Sequence, residues 1–250
     1  MRLCELADYL DTYLDHASIA DHRDACNGLQ VEGRAEVRRV AAAVDACAAT
    51  ITAAADGGAD MLFVHHGLFW GTTAPVTGLY YERLRALLRA EIALYSSHLP
   101  LDVHAEVGNS PVLARRLGLE VGGAFAEAEG RAIGVWCEAA IGRDELVRRV
   151  ERALPTRVRL IATGPAEVRR VGIVTGGGGP YIGSAAAAGC DTLLTGEGAH
   201  HTYFDAEERG VNVLYAGHYA TETVGVQALA DHLRERLGLD TWFIDHPTGL

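Results

Sequence analysis

The tetrapeptide Val37-Arg38-Arg39-Val40 recurs as Val168-Arg169-Arg170-Val171, 131 positions further on, and the correspondence continues without a gap. Ile51 falls on Ile182, Gly58 on Gly189, Asp60 on Asp191, Leu62 on Leu193 and Gly67 on Gly198. A second block matches at an offset of 120, with Leu94-Tyr95 on Leu214-Tyr215, His98 on His218, and Leu113 to Leu119 on Leu233 to Leu239. Polar and glycine coincidences of this kind carry more weight than those in the Ala-rich stretches, and a repeat of this length means that the same supersecondary unit is built twice. The first copy reads as strand (Val37 to Val44), helix (about Cys47 to Ala55) and strand (Met61 to Val64), which is a βαβ unit with a parallel pair of strands. The expectation is an α/β protein of two intertwined lobes of similar topology, residues 1–125 and 126–250, the C-terminal part packing back on the first lobe. Residues 2–15 carry the spacing of an amphipathic helix. Between the copies, Arg131 to Cys137 and Arg157 to Thr163 read as strands around a helix at about Asp144 to Ala153, extending a sheet.

The chemistry sits where predicted strands end. Gly58 to Gly67 is an apolar run delivering His65 and His66, and ligands in open α/β sheets collect beyond the carboxyl ends of strands. After the strand Ile92 to Tyr95 comes His98 with Asp102 four residues on, and after Leu214-Tyr215 comes His218 with Glu222 four residues on. Helical spacing over residues 222–236 places Glu222 in a first turn, within about one turn of His218. Imidazole and carboxylate donors without thiolate suit Zn, Fe, Mn, Ni or Co. Five donors, His65, His66, Asp102, His218 and Glu222, exceed what one tetrahedral ion needs. They predict two divalent transition-metal ions per chain and, through a metal-activated water, hydrolytic chemistry.

Blander readings stand beside these. Asp102 is a suitable helix cap, and Glu222 suits the positive end of its helix. His98 is either catalytic or a partner that orients Asp102. Glu197 takes the place of His66 in the second copy, as a candidate general base or an outer group holding a ligand. His200-His201 follows its strand by several residues and is assigned to a surface or pocket lining. The run Gly176 to Pro180 lacks the Lys-Ser/Thr of a phosphate-binding loop and reads as a tight strand-to-helix turn. His16, His22, His104, His232 and His246 are assigned structural or solvent-facing places.

Composition narrows the class. All cationic residues among the 250 are Arg, no basic stretch occurs, and the net charge of -11 disfavours nucleic acid as a main partner. No apolar run reaches the roughly 20 residues of a membrane span, and Met1 to Glu5 is acidic rather than signal-like, so a cytoplasmic protein is expected. Five scattered cysteines without Cys-x-x-Cys fit reduced thiols.

The sequence resembles the NIF-three-like family of dinuclear metal-centre hexameric proteins, often labelled GTP cyclohydrolase 1 type 2. The resembling residues are Asn27-Gly28-Leu29-Gln30-Val31, His65-His66-Gly67, His98-Leu99-Pro100-Leu101-Asp102, Gly108-Asn109, Thr195-Gly196-Glu197 and Gly217-His218-Tyr219-Ala220-Thr221-Glu222. The resemblance implies the NIF-three-like fold, metal ligation by His65, His66, Asp102, His218 and Glu222, and a ring-shaped homohexamer. It also implies a small-molecule substrate, GTP, opened by water to formate and dihydroneopterin triphosphate, for which Arg34, Arg38, Arg39, Arg169 and Arg170 are candidate phosphate contacts. Two alternatives stay open. One is a metal-binding interaction or regulatory protein without GTP turnover; the other is a metal-dependent hydrolase of another nucleotide or phosphoester.

Overall fold

A computed structural model describes residues 1–71 and 74–250. The chain runs through α1 (Leu3–Tyr13), β1 (Gly28–Val31), β2 (Arg39–Asp45), α2 (Ala48–Asp56), β3 (Met61–His66), α3 (Gly78–Ala90), β4 (Ala93–Ser96) and α4 (Leu99–Asp102). It continues with α5 (Asn109–Arg116), β5 (Val121–Ala128), β6 (Arg131–Gly142), α6 (Arg143–Ala153), β7 (Arg159–Ile161) and β8 (Glu167–Val174). A 3-10 turn at Gly179–Tyr181 precedes α7 (Ile182–Ala187), β9 (Thr192–Thr195), α8 (Thr202–Arg209), β10 (Asn212–Tyr215), α9 (His218–Leu237) and β11 (Asp240–Phe243). Helix α9 therefore starts four residues earlier than its apolar spacing suggested. Among the described residues no helix is long and apolar enough to cross a membrane.

Two units result, Met1–Val107 with Gly225–His246, and Gly108–Val224 with Pro247–Leu250. The first is built on a five-stranded sheet in the order β1-β4-β3-β2-β11, parallel except for β1. The second carries six strands in the order β5-β6-β8-β9-β10-β7, with β8, β9 and β10 parallel and β5, β6 and β7 antiparallel to their neighbours. The segments between the sequence copies thus extend the second sheet at both edges.

The repeat is visible in the packing. Ile51, Ala54 and Leu62 are buried in the core of the first unit, and their counterparts Ile182, Ala185 and Leu193 in that of the second. Strands β2, β3 and β9 are covered on both faces, which is why they read as apolar runs rather than alternating patterns. Asp60 accepts hydrogen bonds from the backbone of Arg38 and Arg39 at 2.9 and 3.0 Å, and Asp191 accepts one from Arg169 at 2.9 Å. The Arg39 guanidinium lies over Trp242, as that of Arg170 lies over Trp136, a cation–π contact repeated in both units.

One part of the plan is exchanged. Helix α5 follows β4 in the chain yet belongs to the second unit, whereas α9 from Gly225 onward, together with β11, follows β10 and belongs to the first. The sequence blocks Leu113 to Leu119 and Leu233 to Leu239, which match each other, lie in these exchanged segments. The lobes are intertwined in that sense.

Candidate metal centre

In the first unit, β3 lies between β2 and β4, with Asp45 beside His66 and Val64 beside Ser96. The carboxyl ends of three strands therefore meet at one edge. His65 is completely buried, and its Nδ1 lies 2.9 Å from the carbonyl oxygen of Ser97. A carbonyl only accepts, so Nδ1 carries the proton and the lone pair is on Nε2. That Nε2 is 3.5 Å from Oδ2 of the buried Asp102. His66 is held in the same way by Asp45, Nδ1 to Oδ1 at 2.8 Å.

His98, just before the single turn α4, is fixed by a residue from the loop after α1. Its Nδ1 donates to Asp21 at 2.9 Å, while Asn27 accepts from the His98 backbone N–H at 2.8 Å. Burial pushes the Asp21 carboxyl up, but the bonds from His98, Asn27 and its neighbours outweigh it and hold Asp21 at about 2. One ring nitrogen from each of His65, His66 and His98 lies within 4.8 Å of the others. Asp21, His22 and His98 form a second such group. Behind them, the Ser97 hydroxyl meets His16 Nε2 at 3.0 Å, and His16 Nδ1 meets Asp11 at 3.0 Å. Burial keeps His16 below its ordinary pKa, against the opposing pull of Asp11.

In the second unit the same edge is built differently. His65 and His66 are replaced by Gly196 and Glu197, and Asp45 by Gly176. The three loops are laced together, Glu197 N–H to Gly176 O at 3.0 Å and Gly217 N–H to Gly196 O at 2.9 Å. His218 Nδ1 donates to Glu197 at 2.7 Å, and its Nε2 lies 3.1 Å from Glu222 Oε1. Glu222 is buried, and its bond to His218, aided by Glu197 and opposed by burial, raises the imidazole to about 9. Gly176 has φ +63°, and a Cβ there would stand 2.1 Å from Glu222 Oε1, so only glycine allows the carboxylate its place.

Imidazoles with one nitrogen fixed by an acceptor, set beside buried carboxylates, are the donor chemistry that a divalent transition ion requires. Both units hold buried His/carboxylate groups of this kind. The five predicted ligands are thus divided, His65, His66 and Asp102 in the first unit and His218 and Glu222 in the second. Sequence reasoning did not single out Asp21 or Asp45, and it gave His16 only a structural or solvent-facing place. Asp45 had a signal, since the last residue of β2 must neighbour the last residue of β3 in a parallel pair. Asp21 and His16 lie in irregular chain, where no periodicity marks a partner. His200 and His201 are both exposed, and His200 lines a cleft together with Glu197.

The candidate phosphate contacts sit elsewhere. Arg38 and Arg39 precede or open β2, and Arg169 and Arg170 lie in the first half of β8. From Arg39 to Asp45 the strand rises by roughly 20 Å, so within the first unit this pair faces the opposite edge from the histidines. Arg34, Arg38, Arg39 and Arg170 are moreover paired with Asp60, Glu36, Asp240 and Glu138. The backbone N–H groups of Arg38, Arg39 and Arg169 serve the Asp60 and Asp191 clamps at the start of their strands.

The profile of the Duf34/NIF3 (NGG1p interacting factor 3) family matches residues 1–249. A protein of Pyrococcus abyssi named GTP cyclohydrolase 1 type 2 homolog is 46% identical over 254 residues, covering 98% of each chain. A protein of the same name from Deinococcus radiodurans is 42% identical over 248 residues, covering 98% of this chain and 94% of its own. The crystal structure of TTHA1606 from Thermus thermophilus superimposes with a TM-score of 0.91 at 41% identity, covering 100% of both chains. With its whole length matched by these relatives and by the profile, the chain belongs to the Duf34/NIF3 family.

Proposed function

We propose that this protein is a dinuclear metal-dependent hydrolase of the GTP cyclohydrolase 1 type 2 kind, holding two divalent transition ions through His65, His66, Asp102, His218 and Glu222. The observation that carries the reading is the cluster of His65, His66 and His98, in which each Nδ1 is held by Ser97, Asp45 or Asp21. Such holding fixes the tautomer and leaves Nε2 as the donor, which a merely structural histidine does not need. When bound, the ions supply Lewis-acid polarisation and a low pKa for water.

The residues supply the remaining chemistry. Glu197 is half-exposed and bonded to His218, so it can take a proton at Oε2 and pass it to solvent while Oε1 keeps the imidazole in place. His98, with Nδ1 on Asp21, offers Nε2 as a proton acceptor at the histidine edge of the first unit. Asp102 and Glu222 are both buried, Asp102 beside His65 and Glu222 beside His218, which places a carboxylate oxygen next to an imidazole nitrogen in each unit. The relatives' shared name supports GTP as substrate and formate as product. Family membership supports a homohexamer.

The test is release of formate from GTP, and from a panel of other nucleotides, by protein loaded in turn with Zn, Fe, Mn, Ni and Co. Formate from GTP supports the reading. Formate or phosphate from another nucleotide only moves the assignment to a different hydrolase. A second reading, a metal-binding interaction protein without turnover, draws on the distance of Arg38 and Arg39 from the histidine edge, and no product with any ion would establish it.

A further inference from the structure

Helix α8, the end of β10 and the edge strand β7 enclose a cleft of about 600 Å³ in the second unit. Glu197, Tyr203, Tyr215, Arg159 and His200 all line it. The volume is that of a small-molecule site, which commonly spans about 300–1,000 Å³.

The register explains how the groups converge. Strand β7 runs antiparallel to β10, so its first residue, Arg159, is paired with Tyr215, the last residue of β10. The antiparallel direction carries an arginine to the same sheet edge as Glu197 and His218, something the arginines opening β2 and β8 cannot do. Directly paired side chains share a face, and both enter the cleft. The floor is tightened by Gly198, whose Cβ would stand 2.5 Å from the Tyr215 hydroxyl. This lets Tyr215 bond Thr202 beneath the Glu197 turn.

Charge decides what fits. Unlike the paired arginines, Arg159 makes no ion pair among the described residues. Glu197, the one acidic side chain of the lining, is engaged by His218, which offsets its repulsion of an anion. A guanidinium that makes no ion pair among the described residues, in a cleft with two phenol rings and an imidazole, suits a phosphorylated ligand with a planar base, because guanidinium forks match phosphate oxygens and aromatic rings stack on bases.

The geometry points to this cleft as the nucleotide subsite of the reaction proposed above, with Arg159 contacting the phosphate chain and Tyr203 exposed to stack on the base, so that the scissile part of the substrate lies at Glu197. The inference rests on the hydrolase reading for its substrate, and on the cleft alone for its phosphate contact.

The experiment uses metal-loaded full-length protein and two probes, inorganic tripolyphosphate by calorimetry and GTP by formate release. Arg159→Ala is expected to weaken tripolyphosphate binding at least tenfold with metal content unchanged, and to raise KM for GTP more than it lowers kcat; Arg159→Lys should recover part of the loss. Tyr203→Ala should raise KM for GTP while leaving tripolyphosphate binding unchanged. If formate is released with the same KM by wild type and by Arg159→Ala, the subsite is refuted and the hydrolase reading stands. If no formate forms with any ion, yet tripolyphosphate binds and Arg159→Ala weakens it, the phosphate contact stands and the reaction assignment fails. Tripolyphosphate binding that is absent from wild type, or equal in wild type and Arg159→Ala, overturns the inference.

Discussion

His218 is held between two carboxylates, its Nδ1 2.7 Å from Glu197 and its Nε2 3.1 Å from Glu222. The bond to Glu222 is the larger cause of the raised imidazole pKa of about 9, so in the metal-free protein at neutral pH this ring is a cation. An ion that takes Nε2 must displace its proton. Metal addition in weak buffer at pH 7 is therefore expected to release about one proton more from wild type than from His218→Gln, the excess vanishing above pH 9. An excess that persists unchanged above pH 9 contradicts this account of the site.

The same shift has a stability consequence of fixed sign. The folded value is raised above the unfolded 6.5, so the contribution is complete below about pH 6.5 and lost as pH rises through about 9. Urea titrations of the metal-free protein are expected to show wild type losing more stability than Glu222→Gln across that interval. Equal losses would mean that His218 is not stabilised as a cation.

Gly176 and Gly177 are adjacent, yet their substitution should differ sharply. Gly176 has φ +63° and faces Glu222, whereas a Cβ on Gly177 meets nothing within 4 Å. Gly176→Ala is expected to cost about 1–3 kcal/mol and Gly177→Ala less than about 0.5 kcal/mol in denaturant unfolding. Gly176→Ala should also displace Glu222 and lower metal occupancy. Equal stability of the two variants would count against the close approach.

Asp45 holds His66 from the end of the neighbouring strand. Partners of this kind are worth about 10–100-fold in metal affinity. Asp45→Ala is expected to weaken binding by that factor in a competition with a chromogenic chelator, with the fold intact by circular dichroism; unchanged affinity would show that His66 needs no such support, or that it is not a ligand.

Much of this was legible because the repeat is written in residues that the fold cannot replace. Asp60 and Asp191 recur because each accepts backbone N–H groups at the start of a strand, and Leu62 and Leu193 because each fills a core. The strand-end histidines were legible because a parallel sheet gathers its carboxyl ends. What stayed hidden depends on long-range partners. The exchange of α5 for the end of α9 leaves no local trace, since the two segments match each other in sequence. Nothing around Asp21 announces that it meets His98 across 77 positions. The start of α9 was placed at Glu222 rather than His218 because its first turn contains no apolar period. The repeated arginines drew attention as phosphate contacts for want of knowing which end of β2 they occupy, while Arg159 went unnoticed on a three-residue strand.

The most direct test of the central claim is elemental analysis of the full-length protein after loading and gel filtration. The account predicts close to two transition ions per chain, both lost in the His65→Ala, His66→Ala double variant while the fold is retained. Retention of both ions by that variant would contradict it.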